Sequence, residues 1–329
     1  MNILVTGATG CLGGVTARRL AAAGHTVTGS GRDLAKGAAL AADGVSFVPA
    51  DLANRPTMET LAVRHAVIIH AGGLSSAWGR REDFIRANVG PTRTLIQTAR
   101  DAGSRLIFVS SPSIYFDFTD RYNIDSDAAP AARPVNAYAE SKLIAEGLVR
   151  EASKSGLDAA IIRPRAIFGA NDTALMPRLL RAAARGRIPL IDGGRALLDM
   201  SYVDNVADVL IAAALHPAPL GGRAYNVSNG EPISVADLMR AVVSGLGLKT
   251  RFMPIGFSLA YAAAAAMEAA AKLRPSRPEP VMTRYTVGVL GKSQTLAIDR
   301  ARNELGWAPR IALRDGIERT LSAWRSAHA

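Results

Sequence analysis

Short apolar runs alternate with amphipathic stretches through the first half of the chain. Ile3–Val5, Thr26–Gly29, Ser46–Val48, Ala66–His70, Arg105–Ser110 and Ala159–Arg163 read as strands. Between them, Gly13–Ala23, Arg93–Ala102 and Tyr138–Ser155 carry apolar positions at helical spacing. Strands separated by crossover helices predict an α/β fold with a parallel, doubly wound sheet and right-handed connections. The second half is less regular. Arg178–Arg187, Tyr202–Leu215 and Asp315–Ser326 read as helices, and Ser234 with Asp237 three residues on has the form of a helix cap. Three prolines between Arg274 and Pro280 predict a loop. No self-similarity of solenoid period occurs.

Composition narrows the partners more than the fold. The 329 residues are 49% hydrophobic and 20% charged, ordinary for a globular protein. Aromatic residues make up 5%, so alanine and branched aliphatics must fill the core. Lys and Arg number 39 against 28 Asp and Glu, a net charge of +11. The arginines are spread along the chain with no basic run interleaved with aromatics, so no nucleic-acid partner is expected. A phosphate-bearing cofactor or an anionic surface stays open. Cys11 is alone, which excludes an intramolecular disulfide and suits a reducing cytoplasm. The five histidines lack metal-ligand spacing, so no metal is expected. The first residues run directly into a strand with no basic segment or cleavage site. No signal peptide is therefore expected, and the expected location is cytoplasmic.

Chemistry enters at the first turn. Val5-Thr6-Gly7-Ala8-Thr9-Gly10-Cys11-Leu12-Gly13 follows the first strand and opens the first helix. The glycines allow a tight turn and let backbone N–H groups approach a pyrophosphate at a positively polarised helix end. Gly7, Thr9, Gly10, Cys11, Leu12 and Gly13 are thus candidate dinucleotide contacts. An acidic residue ending the second strand would hold the adenosine ribose hydroxyl and select NAD(H). Here that position is Gly31, Arg32 follows, and Asp33 comes two residues late. A guanidinium suits a 2′-phosphate, so NADP(H) is preferred over NAD(H); a solvated loop charge is the plain alternative for Arg32. Asp51-Leu52, after the third strand, offers a carboxylate to an adenine amino group, or a turn cap. His70-Ala71-Gly72-Gly73 ends the fourth strand, where small residues leave room for cofactor contacts. His70 can equally be a satisfied buried histidine. Cys11 lacks a resolving partner and reads as a packing residue.

Tyr138 and Lys142 stand four apart, on one face of a helix. A phenol ionises near pH 10 unless helped, and a nearby ammonium favours the phenolate. Such a pair can exchange a proton with a carbonyl or alcohol while hydride moves. The fifth strand delivers Ser110, Ser111 and Ser113 to the carboxyl edge of the sheet, where a hydroxyl can hold a substrate oxygen.

Together these motifs resemble the extended short-chain dehydrogenase/reductases, the NAD-dependent epimerase/dehydratase superfamily, over nearly the whole length. The resemblance rests on the glycine turn, Asp51-Leu52, His70–Gly73, Asn88-Val89, Ser110-Ser111 and Tyr138/Lys142. It also rests on Arg163-Pro164, Tyr202-Val203-Asp204-Asn205-Val206 and Leu305-Gly306-Trp307-x-Pro309. It implies a Rossmann-like NAD(P)-binding domain in residues 1–166 plus about 199–228, and a smaller, mostly C-terminal substrate lobe in about 167–198 plus 229–329. By the resemblance Tyr138 is the general acid/base. Lys142 binds the nicotinamide ribose and lowers the tyrosine pKa. Ser111 is the carbonyl-polarising hydroxyl, with Ser113 as runner-up, and Asn88 supports the proton relay. Pro164 and Ile167 match the segment lining the nicotinamide. Ser111–Phe116, Arg163–Gly169 and the apolar segment near residue 260 are most similar to the 3β-hydroxysteroid dehydrogenase/isomerase-like branch. That branch includes bacterial reductases of 2-alkyl-3-ketoalkanoic acids. A phenylalanine or similarly bulky residue is usual where Cys11 stands.

Phe257–Leu273 is alanine-rich, a strong helix former, with Arg251 before it and Lys272, Arg274 and Arg277 at its end. A bilayer span needs roughly 20 apolar residues, and Glu268 interrupts this run. It reads as a helix packed on the substrate lobe or a mobile cover, or as an interfacial helix in peripheral contact with the inner face of the membrane. All suit a small hydrophobic ketone or alcohol, either a 3-ketosteroid or a long-chain 2-alkyl-3-keto acid. A homodimer stays open. The expected function is an NADP-dependent oxidoreductase. Two other readings stand beside it. One is an NAD-dependent nucleotide-sugar epimerase or dehydratase, with Arg163, Arg165, Arg178 and Arg181 as diphosphate donors. The other is a non-catalytic NAD(P)-sensing protein, which would have little reason to keep Ser111, Tyr138 and Lys142 together.

Overall fold

The computed structural model describes residues 1–170, 172, 179–180 and 186–328. Its main sheet has seven parallel strands: β1 (Asn2–Thr6), β2 (Thr26–Gly31), β3 (Ser46–Pro49), β4 (Val67–His70), β5 (Arg105–Val109), β6 (Ala159–Pro164) and β7 (Arg223–Val227). The order is β7-β6-β5-β4-β1-β2-β3. The chain winds outward from β1 to β3, then returns to β4 and winds the other way. Loops after β1 and β4 therefore part at the carboxyl edge and leave a crevice, the usual ligand position of such sheets. Six strands follow the apolar runs of the sequence. The seventh is not among them, because Arg223 and Asn226 interrupt its apolar pattern.

The helices include α1 (Cys11–Ala22), α2 (Leu34–Ala42), α3 (Arg55–Ala62), α4 (Gly90–Ala102), α5 (Ala137–Lys154), α6 (Val203–Ala214), α7 (Val235–Gly245), α8 (Phe257–Leu273) and α9 (Arg284–Gly291), and helices at Asp299–Leu305 and Leu313–His328 follow them, the second over the expected Asp315–Ser326. α1 and α6 cover one face of the sheet, and α3, α4 and α5 cover the other. In β1, Ile3 and Val5 join a core with Leu20 of α1 and Val206, Val209 and Leu210 of α6. Leu4 between them joins a second core with Met58 of α3, Leu95 of α4 and Val149 of α5. A strand buried on both faces reads as a continuous apolar run, which is why these strands were legible.

A separate core gathers Phe168, Leu198, Met239, Val242, Leu313 and Ile317. Asn205 of α6 ties the C-terminal stretch to the sheet side. Its Oδ1 accepts from the backbone N–H groups of Arg310 and Ile311, both at 3.0 Å, and Trp307 Nε1 donates to its carbonyl at 2.9 Å. Ser234 caps α7 as expected, accepting from Asp237 N at 3.0 Å. Of the expected helix Arg178–Arg187, residues 178 and 181–185 lie outside the described residues. Arg187 instead begins a strand, Arg187–Ile191, paired with Arg251–Ile255. No helix among the described residues is long and apolar enough to cross a membrane.

Candidate active site

At the end of β1, Gly7 takes a φ of +69° and passes so close to the loop after β4 that a Cβ on it would lie 2.5 Å from Gly72 Cα. A Cβ on Gly13 would lie 2.3 Å from the Gly7 carbonyl oxygen. Side chains are excluded on both sides, and no side chain caps the first N–H groups of α1. Those groups suit an anion, and a dinucleotide pyrophosphate fits the cradle. Leu12 is buried in the core, with Cys11 and Ala71 packed half-buried against it. At the end of β2, a Cβ on Gly31 would lie 2.4 Å from Thr9 Oγ1. Thr9 thus fills the place of an acidic side chain. Arg32 is exposed. Asp33 caps α2, accepting from Lys36 N at 3.1 Å. Asp51 forms a turn, accepting from Ala53 N at 2.9 Å. Leu52 reaches Gly72, where a Cβ would meet its Cδ1 at 2.5 Å.

The ring of His70 is turned inward. Thr92 Oγ1 donates to the Asn88 carbonyl at 2.7 Å, so it accepts from His70 Nε2 at 3.2 Å. His70 Nδ1 then accepts from Thr6 Oγ1 at 2.8 Å, and Thr6 Oγ1 accepts from Gly72 N at 3.3 Å. Burial first, and Lys142 second, pull the imidazole down to a pKa of about 3, so it stays neutral. The buried-histidine alternative therefore describes the ring, which braces the two loops of the crevice. Asn88, in a π-helical turn over Ile85–Val89, is also a brace. Its side chain accepts from Leu74 N at 2.7 Å and donates to Leu74 O at 3.1 Å and Ser141 Oγ at 2.8 Å.

Asn136 caps α5 by accepting from Ala139 N at 2.8 Å, which places Tyr138 in the first turn. Burial pushes the Tyr138 phenol above its usual pKa, while hydrogen bonds with Ser111 and Ser75 pull it back. Ser111 reaches it from the cap of the short turn Pro112–Tyr115, accepting from Ser113 N at 3.2 Å. Ser113 Oγ is buried and finds no hydrogen-bond partner among the described residues. The structure thus brings Ser111, not Ser113, to the phenol. Lys142 lies one turn further along α5. Its buried ammonium donates to the Val109 carbonyl at 2.8 Å and lies 5.0 Å from the Phe108 ring centre. A buried ammonium must find an acceptor, and that carbonyl is within reach.

Burial pulls Lys142 down from 10.5 to about 8, against the attraction of Glu146. Between those values the unfolded chain holds a proton that the native state has lost. Unfolding free energy should therefore rise as pH climbs from about 8 to 10.5, by up to roughly 3 kcal/mol. Urea unfolding across that window should show this rise in the wild type and not in Lys142→Met. Parallel pH curves for the two proteins would exclude it.

A cavity of about 260 Å³ has Trp78, Phe84, Asn136, Tyr261, Lys272 and Tyr285 in its wall; Tyr138 is not itself in that wall but packs against Phe84. The Phe84 and Tyr138 ring centres are 6.3 Å apart. α8 and α9 form one side. Glu268, buried in α8, accepts from Arg284 N at 2.7 Å and Arg284 Nε at 2.8 Å. Trp78 Nε1 donates to the Arg277 carbonyl at 2.9 Å, joining the loop after β4 to the proline-rich loop. Leu259, Met267 and Leu273 of α8 point outward and are exposed. Pro164 ends β6 opposite Val227, and Ile167 pairs with Ser201 in a two-residue strand. Sequence reasoning missed Ser75 and Tyr285. Ser75 lies just past the small-residue run; nothing local marks Tyr285.

Arg163 is unavailable to a ligand. It is buried against Glu146, with Nε to Oε1 at 2.8 Å, and it donates to the Tyr115 hydroxyl. Arg178 and Arg181 lie outside the described residues.

The model of the NAD dependent epimerase/dehydratase family matches residues 3–228. The chain is 34% identical to an uncharacterized protein of Escherichia coli (strain K12), YbjS, across 100% of this chain and 98% of that one. It is 33% identical to a 2-alkyl-3-oxoalkanoate reductase of Stenotrophomonas maltophilia (strain K279a), across 97% and 98%. It is 29% identical to a decarboxylating sterol-4-alpha-carboxylate 3-dehydrogenase of Mus musculus, across 85% and 80%. A solved UDP-glucose-4-epimerase from Stenotrophomonas maltophila with bound NAD superposes with a TM-score of 0.79 at 23% identity, covering 100% of this chain and 99% of that one, a similarity of fold.

Proposed function

Because the chain belongs to the NAD dependent epimerase/dehydratase family, and is an NAD(P)-dependent enzyme of it, we propose that it reduces the ketone of a hydrophobic 3-oxo compound with NADPH. The observation that carries this reading is the Tyr138 phenol. It is kept protonated by burial, bonded to Ser111, and packed against Phe84, which lines an aromatic-walled cavity. A protonated phenol is the form that can give a proton to a ketone oxygen. The bound dinucleotide would supply hydride. The chain's own groups do the rest. The turn from Gly7 to Gly13 holds the pyrophosphate. Lys142, with N–H donors beyond the one given to Val109, binds the nicotinamide ribose. Ser111 holds the ketone oxygen while Tyr138 delivers its proton.

NADPH is favoured over NADH on two grounds. No acidic side chain ends β2, where Thr9 takes the space, and the exposed Arg32 follows. The relatives named for 3-oxoalkanoates and sterol carboxylates support a greasy substrate. Burial of Arg163 weakens the nucleotide-sugar reading, since it removes one of the expected diphosphate donors.

Purified protein should oxidise NADPH with 2-alkyl-3-oxoalkanoates or 3-ketosteroids and leave UDP-sugars unchanged. Arg32→Ala should raise the KM for NADPH about tenfold without changing that for NADH. Epimerised UDP-sugar with no net cofactor turnover on any ketone would overturn the proposal.

A further inference from the structure

Arg165 stands two residues beyond the sealed Arg163, and its situation is the opposite. It is 5% exposed, yet its Nε and Nη2 find no hydrogen-bond partner among the described residues. Its backbone is fixed: its N–H donates to Val227 O at 3.0 Å and its carbonyl accepts from Ser201 Oγ at 2.7 Å. A buried guanidinium with two open donors is costly unless an anion arrives to pair with it. Tyr285, in the cavity wall, lies within electrostatic reach of both Arg165 and Tyr138. Arg165 follows the end of β6, beside the end of β5 that delivers Ser111 to the phenol, since Val109 pairs with Ile162. Asp199 attracts the guanidinium from within the protein without an ion pair between them: Asp199 Oδ2 accepts from Leu296 N at 2.7 Å, and Oδ1 finds no hydrogen-bond partner among the described residues.

We propose that Arg165 binds the carboxylate of a 3-oxo acid, so that the enzyme selects acids over neutral ketones. The geometry matches the chemistry: in a 3-oxo acid a single carbon separates the ketone from the carboxyl group, so both must be met close together. A planar guanidinium can grip such a group with two parallel N–H donors. The proposal rests on the ketone-reductase reading and adds the polar end of its substrate.

The test uses the full chain with NADP⁺ or NADPH. Calorimetry with a 2-alkyl-3-hydroxy acid and its methyl ester, on the NADP⁺ complex, needs no turnover. Arg165→Gln should weaken the acid about thirtyfold and leave the ester within about twofold, and Arg165→Lys should keep part of the acid affinity. In turnover, Arg165→Gln should raise the KM for the 3-oxo acid and spare the matching methyl ketone. Equal losses for acid and ester, or weaker NADPH binding in Arg165→Gln and Arg165→Lys alike, would overturn it in favour of a structural or cofactor role. Arg165-dependent binding of UDP with none of the acid would also overturn it. Reduction of neither acid nor methyl ketone by the wild type would sink the reductase reading. The binding ratio would still decide the role of Arg165.

Discussion

Tyr138→Phe should lower kcat for ketone reduction about a thousandfold and leave NADPH affinity within about twofold. The phenol is the protonated group that Ser111 and Ser75 orient, and phenylalanine removes only its oxygen. The ring contact with Phe84 survives the change, so the cavity wall and the first turn of α5 keep their packing. Ser111 would remain to hold the ketone oxygen, but a serine hydroxyl is a far weaker acid and cannot deliver the proton at the same rate. Stopped-flow single turnovers with saturating NADPH measure the chemical step directly. A loss below tenfold, with the fold intact by circular dichroism, would remove Tyr138 from the role of acid.

The largest stability effect should come from Glu146→Ala, which is expected to cost about 3–5 kcal/mol in urea unfolding. Glu146 and Arg163 are both almost fully buried, and two hydrogen bonds join them. Removing the carboxylate leaves a guanidinium in the interior with, among the described residues, the Tyr115 hydroxyl and the Ser126 carbonyl to hold it. Lys142 loses the same negative charge, which now opposes its deprotonation. The double variant Glu146→Leu with Arg163→Met should recover most of the loss, because an apolar pair has no charge to desolvate. A cost below about 1 kcal/mol for the single variant would mean that water reaches the pair, as at a surface salt bridge.

Legibility in the sequence follows the kind of interaction. The cradle of Gly7, Gly10 and Gly13 could be read because backbone geometry demands glycine there, and the demand is local. The strands could be read because burial on both faces leaves a continuous apolar run. Tyr138 and Lys142 could be read because helical spacing puts them on one face. The partners of these residues could not. Lys142 turns to Val109 and Glu146, and Tyr138 to Ser75 and Tyr285, through contacts that only the folded chain creates. His70 and Asn88 are legible as residues of the candidate site, but the loops that their side chains brace are not. Arg165 looked like any of several arginines. Its burial and its open donors depend on the packing around Asp199 and Tyr285.

Nine of the 17 residues of α8 are alanine. Alanine surrenders no side-chain rotamers on ordering, and it has the highest intrinsic preference for the helix. α8 therefore owes its form largely to its own backbone. Its hold on the rest of the molecule comes from an inner stripe of Ala260, Ala264, Glu268 and Ala271, with Phe257 and Tyr261 packed beside it. Helix formation and docking are separable terms for this wall of the cavity. Moving it away from α9 would cost those contacts and would leave the helix's own hydrogen bonds in place.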